Sequence, residues 1–159
     1  MTINKKTLML GLGNTLLCDE GVGIHAIERF RQAAHDWPQV EFLDGGTLSF
    51  TLAGPIAEAE QLIVIDATQL HAEPGTVRVF ENEAMDEFLN AGNQKSVHEV
   101  GLIDLMGITH LSGQLPPQRA LIGIQPEYLS WGDWPTPRVA AAIDQVGQEA
   151  ASLLQRWRQ

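Results

Sequence analysis

The sequence predicts an α/β sandwich built on a mainly parallel sheet of about five strands, and three observations lead there. Short strand-like segments at 7–12, 40–43, 62–65, 77–80 and 120–124 alternate with stretches that carry apolar residues at helical spacing. The segment at 62–65 is continuously apolar rather than alternating, as in a strand buried on both faces. Of the 159 residues, 44% are hydrophobic and 19% charged, a globular composition. A chain of this length buries roughly two-thirds of its unfolded surface, which suffices for a core without staples, and the sequence predicts one domain over residues 1–159.

The elements follow in order. Thr7 to Leu12 is an apolar run that ends in Gly11 and Gly13, a buried strand entering a loop. Over 21–34, Ile24, Ile27, Phe30 and Ala34 recur at the spacing of an amphipathic helix. A second strand at 40–43 closes on the turn residues Asp44, Gly45 and Gly46. Segment 48–59 reads as helical, limited or split by Pro55. The strand at 62–65 ends at Asp66, and a Pro74-Gly75 turn precedes the alternating strand at 77–80. Ser96-x-x-Glu99 has the pattern of a capping box, predicting a helix that Gly107 closes. After the strand at 120–124, Thr136-Pro137 signals a helix start with proline at the first helical position. That last helix places Val139, Ile143, Val146, Ala150, Leu153 and Trp157 on one stripe, with Arg156 and Arg158 near its negative end.

Charge narrows the function classes. Twenty acidic and ten basic residues give a net charge of −10, which repels a phosphate backbone and offers no basic stripe, so neither nucleic acid nor an anionic membrane is an expected partner. A cation or a basic peptide suits the chain better. The single cysteine, Cys18, excludes an intramolecular disulfide framework and fits a reducing compartment. No apolar stretch reaches the length of a membrane span and no signal-peptide pattern is visible, so the expected location is the cytoplasm.

In open α/β sheets ligands bind beyond the carboxyl ends of the strands, where strand order reverses. The polar residues at those ends are Asn14, Asp19 and Glu20 after the first strand, Asp44 to Thr47 after the second, Asp66 and Thr68 after the third, and Gln125 and Glu127 after the strand near 122. Carboxylates converging at one sheet edge repel one another unless a proton or cation compensates them. A metal is an economical cation, and His98 in the first turn of a helix, where the dipole favours neutral imidazole, is the matching nitrogen ligand. Two carboxylates and one imidazole leave coordination positions open for substrate or water. The same residues also have structural readings, Asp66 as a turn or helix cap, Glu20 as a complement to a helix dipole, and His98 as a capping or packing side chain. Cys18 reads as an apolar filler, and His25, His35, His71 and His110 as weaker ligand candidates. Trp131 and Trp134, flanking Gly132-Asp133, either form a partner-facing patch or cover the end of the last helix.

Several enzyme classes drop out. Gly11-x-Gly13 lacks the third glycine of a dinucleotide fingerprint, since position 16 is Leu16, and Asp19 and Glu20 stand where a pyrophosphate would lie. No phosphate loop, no Gly-x-Ser-x-Gly nucleophile elbow and no His-Glu-x-x-His motif occurs.

At these residues the chain resembles the hydrogenase maturation proteases, the endopeptidases that trim the large subunit of nickel-iron hydrogenases. The matching segments are Gly11-Leu-Gly-Asn-Thr-Leu-Leu-Cys-Asp-Glu-Gly21, Asp44-Gly-Gly-Thr47, Leu62-Ile-Val-Ile-Asp-Ala67, the region of His98 with Gly101-Leu102, and Gly123-Ile-Gln-Pro-Glu127. Together they span nearly the whole chain, and the first is long and specific. The resemblance implies a three-layer α/β/α sandwich and removal of a C-terminal extension from the large-subunit precursor after nickel insertion. It implies that Glu20, Asp66 and His98 bind that nickel, which belongs to the substrate, with another divalent ion as an occupant in the isolated protein. A supporting or catalytic role for Asp44 carries over as well. The trio matches without departure, whereas 71–95 and 107–119 match least and are expected to select the hydrogenase.

On this reading the trio grips the nickel and positions the scissile bond, and a water activated by a carboxylate or by the metal attacks it. The free protein is expected to be monomeric. Two other classes compete: a non-catalytic nickel-binding maturation chaperone that uses the same trio, and a nucleotide-dependent α/β enzyme, which Leu16 and the acidic loop disfavour.

Overall fold

The computed structural model describes residues 5–46, 50–91 and 102–159. Five strands form one sheet in the order β2-β1-β3-β5-β4, with β1 at Thr7–Leu12, β2 at Val40–Gly46, β3 at Gln61–Ala67, β4 at Val77–Glu81 and β5 at Gln118–Ile124. β1 pairs in parallel with β2 and β3, and β3 with β5. β4 alone runs antiparallel, on the edge beside β5. The chain leaves β1 outward to β2 and then returns past it to β3, so strand order reverses between β1 and β3. Their carboxyl ends flank the switch point where ligands bind in such sheets.

Alternation along the central strands sends side chains to two separate cores. On one face Met9, Ile63, Ile65, Ile122 and Ile124 pack under Val22, Ala26, Ile27 and Phe30 of α1 (Val22–Gln32), joined by Val139, Val146, Ala150, Leu153 and Trp157 from the end of the chain. On the other, Leu8, Leu10, Leu62, Val64 and Leu121 meet Ile56 of α2 (Ala53–Glu58), Met85 and Leu89 of α3 (Glu83–Asn90), and Leu102, Leu105 and Met106 of α4 (Leu102–Leu111). Helices on both faces of the sheet make the three-layer sandwich.

Four local readings change. Pro55 does not split its helix, because it stands in the first turn of α2, where a backbone N–H has no intrahelical acceptor. The half-apolar α3, which buries only Met85 and Leu89, follows β4 where the sequence pattern marks no helix. Gly107 does not end α4. Its one missing side chain costs about 1 kcal/mol relative to alanine, which the buried Leu105, Met106 and Thr109 around it outweigh. The helix stops instead at Gly113, whose φ of +74° lets the Gln114 N–H reach back to the Thr109 carbonyl at 2.8 Å. The final helix is two, α5 (Pro137–Ala141) and α6 (Ile143–Trp157), because the Ala142 N–H bonds the Val139 carbonyl three residues back, a tighter turn than the α-helix uses. The expected apolar stripe survives that break, with all six of its residues buried. The Ser96-x-x-Glu99 box lies outside the described residues.

Candidate active site

The loop from β1 into α1 carries the site. It turns through a short 3-10 segment, Cys18–Gly21, in which Cys18 adopts a left-handed φ of 52°. For a non-glycine residue this is uncommon and needs support from its surroundings. The support comes from the loop after β5. Cys18 donates its N–H to the Gly132 carbonyl at 2.8 Å and its thiol to the Trp134 carbonyl at 3.2 Å, while Gly132 returns its N–H to Leu16 at 3.0 Å. Cys18 is thus the buried filler the sequence suggested.

Asp19 and Glu20, adjacent in sequence, go to opposite uses. Asp19 is fully buried. Its carboxylate accepts the N–H groups of Glu127 at 2.8 Å, Tyr128 at 2.9 Å and Thr136 at 2.6 Å, together with the Thr136 hydroxyl. Burial alone would raise its pKa. The four donors outweigh burial and hold the carboxyl below its ordinary value. Thr136 therefore spends its hydroxyl on Asp19 and makes no side-chain cap for α5, contrary to the capping expected of it. Gln125, also at a strand end, is structural too. Its side-chain oxygen accepts the Leu70 N–H at 2.6 Å and holds the loop after β3.

Glu20 is only partly buried and lies close enough to Asp66, at the end of β3, for its charge to act there. Burial first, and the Glu20 carboxylate second, push the Asp66 carboxyl up to about 7, and an N–H bond from Ala67 offsets only part of this. The approach of the two elements depends on glycine. A β-carbon at Gly23 would stand 2.3 Å from the Ile65 carbonyl oxygen and 2.5 Å from that of Leu12, so only glycine lets α1 begin against the ends of β1 and β3. Gly13, at φ +135°, does the same for the loop, since a β-carbon there would meet the Glu20 carbonyl oxygen at 1.9 Å. The Gly-x-Gly pattern serves close packing around the acidic pair, not a dinucleotide.

Asp44 stands at the end of β2, on the far side of β1 from Asp66, and is exposed. One carboxylate oxygen accepts the Gly46 N–H at 2.9 Å, and the Gly46 carbonyl accepts the Gly13 N–H at 2.8 Å, so the turn after β2 is tied to the Glu20 loop. The sequence-derived trio is thus represented by two members, because His98, like Thr47, lies outside the described residues. Among the described residues no cluster of three or more His, Cys, Asp or Glu side chains is placed to hold a metal ion. His25 sits on α1 with its ring 4.6 Å from that of Trp134, and burial lowers its pKa against a smaller opposing effect of Asp133. His35 is at the exposed end of the α1 region beside Asp36. No described helix is long and apolar enough to cross a membrane.

Fold and site together define a doubly wound α/β protein with an acidic pair at its switch point. A family model described as hydrogenase maturation protease matches residues 24–153, and the chain belongs to that family. It is 38% identical over 149 residues, 93% of this chain and 73% of the other, to the hydrogenase expression/formation protein HoxM of Cupriavidus necator. It is 33% identical over 150 residues to the hydrogenase 2 maturation protease of Escherichia coli, covering 94% of this chain and 90% of that one. The structure of the hydrogenase maturating endopeptidase HybD from E. coli superposes with a TM-score of 0.84 at 31% identity, over 95% of this chain and 93% of that chain. The chain is accordingly a maturation endopeptidase, a hydrolase of peptide bonds.

Proposed function

We propose that this endopeptidase removes a C-terminal extension from the large-subunit precursor of a nickel-iron hydrogenase, and that Glu20, Asp66 and His98 read the nickel the precursor already carries. The observation behind this reading is the Glu20–Asp66 pair. Burial and mutual repulsion keep a proton on Asp66 up to about pH 7, and a divalent cation between the two carboxylates relieves the repulsion without that proton. Two oxygen ligands and one imidazole hold a bare ion loosely, whereas substrate thiolates add the soft ligands that nickel favours. Metal affinity of the isolated chain is therefore weak, and association is firm only with loaded precursor. Gripping the metal fixes the adjoining peptide, and such positioning supplies several kcal/mol of the barrier. Asp44, on the same sheet edge, keeps one carboxylate oxygen beyond its bond to Gly46 and in this reading orients or deprotonates the attacking water. The free chain works as a single-domain monomer in the cytoplasm, in keeping with its buried unpaired thiol.

The test is intact-mass measurement of nickel-loaded and nickel-free precursor after incubation with the purified protein under chelation of free metal. The expected result is loss of the extension from the loaded form only. Equal cleavage of both forms would remove nickel as the checkpoint, and an intact C-terminus in both would favour the maturation chaperone.

A further inference from the structure

Five of the seven large hydrophobic side chains exposed among the described residues lie in one place: Leu16, Tyr128, Leu129, Trp131 and Trp134. Trp131 is 77% exposed and Leu16 60%. They come from two loops, residues 13–21 after β1 and 125–136 after β5, that are fastened to each other. Leu17 and Gly132 form a parallel bridge, the Gly132 N–H bonds Leu16, and the Asp19 N–H bonds Tyr128 at 3.1 Å. A buried carboxylate, Asp19, locks the second loop at both of its ends. An apolar cluster held so rigidly in water needs a reason, because isolated exposed side chains are ordinary and a contiguous patch is not. The N–H groups of Cys18, Asp19 and Gly132 tie the two loops that carry the cluster directly to each other.

The surroundings say what covers it. The two loops contain Asp19, Glu20, Glu127 and Asp133 and no lysine, arginine or histidine. With Asp19 consumed internally, Glu127 and Asp133, sequence neighbours of Tyr128 and Trp134, add negative charge beside the aromatic cluster, on a chain of net charge −10. Rigid aromatic anchors inside a charged rim are the makeup of an interaction hot spot. Glu20 follows Leu16 on the loop after β1 and belongs to the acidic pair, so one loop links the patch to the proposed nickel grip.

We propose that this patch is the docking surface for the body of the precursor, and that it receives an apolar stretch flanked by lysine or arginine side chains. The proposal rests on the function given above. It assigns the loops after β1 and β5 a second task, capture of the protein that carries the metal, beside the chemistry at the sheet edge. Acidic charge around the patch steers the basic flanks, and Trp131 and Leu16 supply the apolar contact.

The experiment measures two quantities on nickel-loaded precursor, affinity and cleavage, for the wild type and for the variants Trp131→Ser and Leu16→Ser, which sit on different loops. Each variant should weaken binding by about tenfold or more and raise KM in step. Both should leave kcat within about twofold and the thermal midpoint unchanged, because the deleted groups touch water in the free protein. Glu127→Gln with Asp133→Asn should flatten the salt dependence of association. Unchanged affinity in both single variants, with cleavage intact, overturns the docking surface and leaves the proposed function standing. Binding without cleavage by the wild type overturns the function and leaves the surface standing. A wild-type dimer in sedimentation that Trp131→Ser dissolves, at unchanged precursor affinity, assigns the patch to a second copy of the chain and overturns the proposal.

Discussion

The carboxylate of Asp19 accepts both the backbone N–H and the hydroxyl of Thr136, at 2.6 and 3.0 Å, across 117 residues of sequence. Through this one side chain the entrance to α5 is bound to the loop that presents Glu20. The acidic residue next to the proposed ligand is thus a structural clamp, and the two carboxylates have separable tasks.

Asp19→Ala should destabilise the protein by about 3 kcal/mol or more, because it strands three backbone N–H groups in a buried setting. Asp19→Asn, which keeps one accepting oxygen, should lose less. The native carboxyl titrates below the unfolded value of 3.8, so its contribution is present above about pH 4 and fades as pH falls toward the native pKa. Urea unfolding at pH 7 and pH 3 measures both effects. Equal losses at the two pH values would mean that the clamp does not depend on its charge.

Much of the fold was legible because burial writes itself into apolar runs. All five strands fall where those runs predict them, although β2 extends three residues beyond, through Gly46, and β3 two, through Ala67. What escaped was decided by geometry between distant residues. α3 buries only Met85 and Leu89, too few for a visible stripe. Thr136 carries a capping signal that Asp19, 117 positions away, redirects. Nothing local distinguishes Asp19 from Glu20, since which carboxylate faces inward depends on the left-handed turn at Cys18. Asp66 was legible from its place at the end of a continuously apolar strand. The aromatic loop was legible as two tryptophans only, because its partner Leu16 reads as an ordinary residue of the first loop.

Gly23→Ala should be among the most damaging single-methyl additions in the chain. The added carbon would overlap two backbone carbonyls, those of Ile65 and Leu12, and neither can rotate away. Overpacking of this kind costs typically 1–3 kcal/mol, and α1 should shift off the sheet and take Glu20 with it. Gly54→Ala, where open space surrounds the new atom, is the control. A normal melting temperature for Gly23→Ala would refute the close approach.

His25 gives a pH dependence of its own. Burial keeps its ring below the ordinary pKa of 6.5, with Asp133 offsetting part of the effect, and its buried Nε2 has no hydrogen-bond partner among the described residues. As pH falls below about 6.5 the unfolded chain takes up a proton that the native state resists, so stability declines from that point down to the native pKa. His25→Gln should make the stability of the protein less steep between pH 7 and pH 5. An unaltered slope in parallel denaturation series would place the imidazole in water.

Asp44 is tested by an isosteric exchange. Asp44→Asn keeps an oxygen for the Gly46 N–H and loses only the charge. If the free carboxylate oxygen handles the attacking water, cleavage should drop by about 100-fold or more with the melting temperature unchanged. Full cleavage would confine Asp44 to holding its turn.

Asp66 joins stability to function. Its carboxyl titrates at about 7 in the native state against 3.8 when unfolded. Between those values the unfolded chain releases a proton that the native state retains, so stability falls as pH rises from about 4 to 7, and the full penalty is present above that. Asp66→Asn abolishes the charge while keeping the shape. At pH 8 the variant should melt above the wild type, and near pH 4, where the wild-type group is protonated in the native state, the two should nearly coincide. The same exchange takes a ligand from the proposed nickel grip, so cleavage of loaded precursor should fall by about 100-fold or more, the scale of loss when a reacting group is misplaced. Stability gained where activity is lost marks a residue held in an unfavourable state for its task. An unchanged midpoint at pH 8 would mean that Glu20 and burial do not strain Asp66, and a lowered midpoint with full cleavage would make Asp66 a cap at the end of β3.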